Sequence, residues 1–161
     1  VLNIPSSVKK ICHHALSGYI DLVRVYIPDS VESIEEGAFS GCKKLTYVRL
    51  PLSLEGNSLG KAAFKECISL NYVSLPPNLT EISSKTFKKN KNLTDISLND
   101  GLKIIDENAF SDCETLKHIK IPSTVTSIGK NAFKPCKNLV TINFKNVKPY
   151  KIKLIKMGCK Y

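Results

Sequence analysis

Cys12-His13-His14 is the one place in the sequence where a thiol adjoins imidazoles. In composition this is a metal-ligand set or a Cys–His nucleophile pair. The spacing argues against both. Adjacent side chains of an extended segment point to opposite faces, so His13 and His14 do not converge on one ion, and no orienting partner is evident nearby in the sequence. The segment reads as a surface turn. Gly56-Asn-Ser-Leu-Gly60-Lys61 has the outline of a phosphate-binding loop. It carries three residues between its glycines where such a loop carries four, and Ala62 stands where the magnesium-binding Ser/Thr belongs. It reads as an insertion. Asn78-Leu-Thr80 and Asn92-Leu-Thr94 satisfy the N-glycosylation pattern, which matters only in a eukaryotic chain. No catalytic residue, metal ligand or cofactor-binding residue is assigned, and no cofactor is expected.

The remaining cysteines are understood only against the elements that position them. The dipeptide Ile4-Pro5 recurs as Ile27-Pro28, Leu50-Pro51, Leu75-Pro76 and Ile121-Pro122, with Leu98-Asn99 as an imperfect copy and Phe144 at the next start; the spacings are 23, 23, 25, 23, 23 and 23 residues. Apolar columns hold their phase inside every unit. One runs Leu16, Phe39, Phe64, Phe87, Phe110, Phe133; another runs Leu22, Leu45, Leu70, Leu93, Leu116, Leu139; a third runs Val25, Val48, Val73, Ile96, Ile119, Ile142. A fixed period of this length is the signature of stacked units that bury a shared core. Each unit predicts a short strand of the Leu45–Leu50 type, ended by Pro51. Gly or Asn before Ala-Phe predicts a tight turn or a single helical turn. The two-residue insertion falls near 55–59.

Cys42, Cys67, Cys113, Cys136 and Cys159 occupy one column of this repeat. Free Cys packs as a small buried hydrophobe. Successive members stand about one strand spacing apart, within disulfide reach, but parallel side chains of a ladder point alike. A reduced, buried column is the reading adopted over a disulfide. A metal site is disfavoured because no Cys-x-x-Cys pair exists.

The unit I-P-x-x-V-x-x-I-x-x-x-A-F-x-x-C-x-x-L-x-x-V-x-L resembles the BspA-type leucine-rich repeat, and residues 121–142 match it almost position for position. The resemblance covers residues 4–144. It implies a β-rich α/β solenoid, a right-handed superhelix with a parallel β-sheet on its concave face and short turns or helical turns elsewhere. It also implies a microbial surface or secreted protein that acts in adhesion or host contact by binding a protein, including a host or extracellular matrix protein. The commoner leucine-rich repeat places Asn or Cys just after the strand; here Ser30, Ser53, Asn78, Gly101 and Thr124 stand there.

The array is expected to be one domain over residues 1–161, with units starting at 4, 27, 50, 75, 98 and 121. Val1–Ile4 reads as the strand of an earlier unit, so the chain is expected to be a fragment of a longer array. Residues 145–161 read as a degenerate seventh repeat acting as a C-terminal cap. On each strand the residues flanking the Val/Ile column point outward. These include Arg24, Tyr26, Tyr47, Arg49, Tyr72, His118 and Lys120. Tyr and Arg are enriched at binding hot spots, and solenoids bind on their concave face. An ordinary solvated sheet face, in which Tyr is simply a good strand residue, fits the same residues.

The chain's 161 residues carry a formal net charge of +10, a balance that invites an anionic partner. Its location weakens that inference. Residues 145–161 hold six Lys and no acid, among them Lys145, Lys148, Lys151, Lys153 and Lys156. This tail reads either as a solvated cap or as a patch for anionic partners. No nucleic-acid-binding motif accompanies it, and nucleic acid is not expected as a partner. No apolar run approaches the ~18 residues of a membrane span, and residues 1–7 lack the pattern of a signal peptide. The expected function is a non-enzymatic protein-binding module at the cell surface or secreted. The alternative is an intracellular, cytoplasmic or structural repeat scaffold.

Overall fold

The computed structural model describes residues 1–139 and the backbone of strand 141–144. Twelve short strands occur among these: β1 (Leu2–Asn3), β2 (Lys10–Ile11), β3 (Arg24–Tyr26), β4 (Ser33–Ile34), β5 (Tyr47–Arg49), β6 (Tyr72–Ser74), β7 (Glu81–Ile82), β8 (Asp95–Ser97), β9 (Ile104–Ile105), β10 (His118–Ile121), β11 (Ser127–Ile128) and β12 (Thr141–Phe144). Every pairing between them is parallel. Val25 lies opposite Val48, Val73 opposite Ile96 and Ile119 opposite Ile142. The chain is a β-solenoid of about six turns.

The Val/Ile column and its Leu partners explain the first ladder, β1-β3-β5, β6-β8 and β10-β12, with β5 beside β6 and β8 beside β10. A second parallel ladder runs along another side: β2-β4, a bridge from Ile34 to Leu59, then β7-β9-β11. The sequence predicts a tight turn or a helical turn at Gly or Asn before Ala-Phe. The structure has turns at these steps and no helix among the described residues, and it adds strands of two residues each just before them. The reason is in the backbone. His14, Gly37, Ala62, Lys85, Asn108 and Asn131, each two residues before the Leu/Phe column, take left-handed φ of 54° to 65°. Gly18, Gly41, Glu66, Lys89 and Asp112, two residues after it, are left-handed as well, at 61° to 75°. Two left-handed residues per coil break any right-handed helical run. The freed amides bond to the next coil instead, as Phe39 N–H to Ala63 O and Phe87 N–H to Ala109 O.

The core is the set of repeat columns. Phe39, Phe64, Phe87 and Phe110 are fully buried and, with the half-buried Phe133, form one stack; centroids are 5.1 to 6.0 Å apart and ring planes lie within 12° of parallel. Offset stacks of this spacing add to the area that each ring buries. Cys42, Cys67 and Cys113 are buried thiols outside any disulfide. Each donates Sγ–H to a carbonyl of the preceding coil, at Leu16, Phe39 and Phe87, and Cys136 does so to Phe110. Burial pushes the Cys42 thiol up to about 11, and Cys67 and Cys113 are raised by the same cause. Cys159 and the cap assigned to 145–161 lie outside the described residues.

Residues just after the strand tie each coil to the one before it. Ser30, Ser53 and Thr124 donate their hydroxyls to Val8, Val31 and Leu102 carbonyls, one coil back. Gly101 has no side chain to do this, and Asn99 reaches the equivalent Leu79 carbonyl at 2.8 Å.

Candidate functional site

The first strand ladder buries Val25, Val48, Val73, Ile96 and Ile119 inward. Strand alternation therefore turns their neighbours outward. Arg24 stands opposite Tyr47, Tyr26 opposite Arg49, Tyr72 opposite Asp95, and Ser74 opposite Ser97. Tyr26, Tyr47 and Tyr72 are 38%, 39% and 43% exposed, among the largest apolar side chains left in solvent. The Tyr26 and Tyr47 rings lie 5.6 Å apart at 50°. Each inner strand has a neighbour on both sides, hydrogen-bonded or packed, so none offers an open edge.

Arg49 is fixed from below. Its Nη1 donates to Ile27 O at 3.1 Å and its Nη2 to Asp29 Oδ2 at 3.0 Å. Asp29 also accepts the Leu52 N–H at 2.8 Å. The Arg49 guanidinium, then the Leu52 amide, hold the Asp29 carboxyl below the usual range. The sequence reading missed Asp29, although its place just after Ile27-Pro28 puts it at the turn beside the next strand.

Three shallow hollows follow one another along the face. One of about 290 Å³ is lined by Arg24, Tyr26, Thr46, Tyr47 and Asn71. The next, of about 180 Å³, lies among Tyr47, Arg49, Leu52, Tyr72 and Pro76. The third, of about 490 Å³, has Tyr72, Asp95, Ser97, Asp100 and Lys120 in its walls. Arg24, Tyr26, Tyr47, Arg49, Tyr72 and Lys120 thus border a continuous strip. His118 is exposed on β10 beside Lys120 but lines none of the three hollows. Asp100 and Asn71 are contributors that column arithmetic does not single out, since they lie in loops flanking the strands. Lys145, Lys148, Lys151, Lys153 and Lys156 lie outside the described residues.

The Cys12-His13-His14 segment is exposed, and its chemistry differs from the sequence reading in one respect. His13 has a carboxylate partner: its Nδ1 lies 2.6 Å from Glu35 Oε2 and its backbone N–H donates to the same oxygen. Glu35 belongs to the following coil, 22 residues on, so no local pattern shows it. His13, then Lys10, lower the Glu35 carboxyl from its ordinary value. The His14 ring packs on Gly37. Among the described residues, no group of three or more His, Cys, Asp or Glu side chains is placed to hold a metal ion, and no helix is long and apolar enough to cross a membrane.

The sequence matches the family described as BspA type leucine rich repeat region (6 copies), over residues 1–56 and 52–156. Among solved structures it is similar to a leucine-rich repeat protein from Bacteroides ovatus, with 34% identity and a TM-score of 0.84 over 89% of this chain and 37% of that one. A leucine rich cell surface protein from Faecalibacterium prausnitzii has 28% identity and a TM-score of 0.66, over 87% of this chain and 46% of that one. A leucine rich repeat protein of T. pallidum has 26% identity and a TM-score of 0.64, over 99% of this chain and 83% of that one. The chain therefore spans less than half the length of the first two. No curated protein matches the sequence.

Proposed function

The chain belongs to the BspA-type leucine-rich-repeat family, and on that premise we propose that it is a non-enzymatic module that binds a protein through its strand face. In this reading residues 1–161 form one repeat domain, a right-handed superhelix with the first ladder on its concave side and residues 145–161 as its cap. It acts at the cell surface or in secreted form, in adhesion or contact with a host or extracellular matrix protein. The likeness to a cell surface protein of F. prausnitzii supports the location. The observation that carries the binding role is the exposed row Tyr26, Tyr47, Tyr72, seated on strands whose other faces are fully buried. Aromatic side chains held rigidly on a scaffold lose little conformational entropy on binding and dominate hot spots. Arg24, Arg49 and Lys120 supply charge along the same strip, and His118 stands exposed beside Lys120.

The test is a variant with Tyr47→Ala, Arg49→Ala and Tyr72→Ser together. Wild type is expected to bind extracellular matrix or host-cell surface proteins in a solid-phase assay, and the variant to lose that binding while its circular dichroism and urea midpoint stay close to wild type. Undiminished binding by a folded variant overturns the assignment to this face. The second reading, a scaffold in a reducing compartment, is favoured by the buried thiols of Cys42, Cys67 and Cys113.

A further inference from the structure

We propose that the strand face receives a proline-rich segment in the polyproline II conformation, bearing a basic residue and laid across the strands from Tyr26 to Asp95. This rests on the reading of the face as a protein-binding surface and names its partner's chemistry.

The stacking of the coils disfavours one common way of docking an extended peptide. An added strand needs an open sheet edge, and between β3 and β8 every strand has a neighbour on both sides, hydrogen-bonded for β3-β5 and β6-β8 and packed for β5 beside β6. What the face offers is rings and polar tips. Tyr26, Tyr47 and Tyr72 are half-exposed, with Leu52 57% exposed beside them. Pro-rich segments dock in aromatic-lined clefts because their conformation is preformed and costs little entropy on binding. They have no internal hydrogen bonds, so their carbonyls are available to the tyrosine hydroxyls, Arg24 and Asn71.

The repeat distances agree. A polyproline II turn is three residues at about 3.1 Å each, or about 9.3 Å. Two hydrogen-bonded coils at about 4.8 Å separate positions by about 9.6 Å; of the two steps here, β6 to β8 is hydrogen-bonded and β5 to β6 is packed without a ladder. The hollow around Tyr47 and the hollow around Asp95 are two coils apart. A ligand lying along the stack therefore presents the same side to both, one turn apart.

The two ends differ in charge. The hollow at Tyr26 and Tyr47 carries Arg24. The hollow beyond Tyr72 carries Asp95 and Asp100 against the single cation Lys120. Asp95 and Asp100, like Glu55, Glu81, Asp106, Glu107 and Asp112, hold no Lys or Arg partner among the described residues, and these two share the wall of one hollow. In a chain of net charge +10, two unpaired carboxylates at the wall of a cavity beside an exposed ring suit a guanidinium or ammonium, which the Tyr72 face also attracts. A proline lodges at the rings, and a basic residue one turn on lodges between the carboxylates.

The chain contains no Trp, and three of its six Tyr lie on this face, so the part of its tyrosine emission change that Tyr47→Ser and Tyr72→Ser remove reports on this face when it is titrated with peptides that lack aromatic residues. The probes are hexaproline with arginine at either end, hexaproline with glutamate, hexa-alanine with arginine, and cellohexaose. A saturable response to an arginine-bearing hexaproline is expected, weakened at least about tenfold by glutamate or by alanine. Tyr47→Ser and Tyr72→Ser should abolish it, and Asp95→Asn with Asp100→Asn should remove the preference for arginine over glutamate. No saturable response to either arginine-bearing hexaproline overturns the proposal, as does equal binding of the alanine peptide or binding that survives both Tyr substitutions in folded protein. A response to cellohexaose alone assigns the rings to a glycan and also overturns it. If the peptides fail while the Tyr47/Arg49/Tyr72 variant still loses its protein partner, only this proposal falls; if that variant keeps its partner, the protein-binding reading falls as well.

Discussion

The side-chain Oδ1 of Asn90 accepts the backbone N–H of Cys67 at 3.0 Å. Asn90 is fully buried and occupies the column that Cys42, Cys67, Cys113 and Cys136 fill in other coils. It supplies an acceptor for the neighbouring coil, but its Nδ2 is buried with no partner. An unsatisfied buried donor costs about 1–3 kcal/mol. Asn90→Cys removes that donor and restores a thiol to the column, at the loss of one accepted hydrogen bond. The expected net gain is about 1 kcal/mol, read as a higher urea midpoint at unchanged slope. A lower midpoint contradicts this account.

The stacked phenylalanines predict a graded response. Phe87 is fully buried between Phe64 and Phe110, with centroid distances of 6.0 and 5.5 Å. Phe87→Ala leaves a cavity in the middle of the stack and should cost about 3–5 kcal/mol. Phe133 is half-buried and has Phe110 as its one ring neighbour among the described residues. Phe133→Ala should therefore cost distinctly less in the same unfolding experiment; equal losses would mean that the stack does not carry the stability assigned to it.

Two glycines separate conformational from steric need. Gly41 has φ of 75°, and a Cβ there meets nothing nearer than Gly18 at 3.7 Å. Gly41→Ala should cost about 1 kcal/mol, the strain of a left-handed alanine. A Cβ on Gly60 would stand 2.6 Å from Glu35 C and 2.7 Å from Glu36 N, both backbone atoms of the adjacent coil. Gly60→Ala must push two coils apart, and about 3 kcal/mol is expected. Urea midpoints of the two variants check the order.

The buried thiols predict sensitivity to alkali. Burial raises Cys42 from the ordinary thiol value of 9.0 to about 11, and Cys67 and Cys113 move the same way. The folded chain thus holds these protons more tightly than the unfolded one. Their contribution to stability is complete below the unfolded value and is lost as pH rises through the folded one. Unfolding free energy measured upward from pH 9 should fall, and a flat profile to pH 11 would contradict it. In the native chain at neutral pH the same three thiols should resist alkylation that labels the exposed Cys12, as read by peptide mass spectrometry.

What the sequence alone determined is the period and the core. Stacking identical turns requires an apolar side chain at the same phase in each, so burial writes itself into columns such as Leu22 to Leu139 and Val25 to Ile119. The row Arg24, Tyr26, Tyr47, Arg49, Tyr72 was legible for the same reason, because strand alternation fixes what lies opposite a buried column. Lateral chemistry was not legible. Asp29 under Arg49, Glu35 beside His13 and Asn90 against Cys67 are contacts between coils, made by particular side-chain rotamers about one period apart in sequence. Nor was the second strand ladder, because its two-residue strands are too short to show alternation and are made by left-handed corners at residues as unlike as His14, Ala62 and Lys85. Periodicity reports which residues leave water. Only the tertiary structure decided which of them touch, and hence that Tyr72, Asp95, Asp100 and Lys120, drawn from three coils, line one hollow.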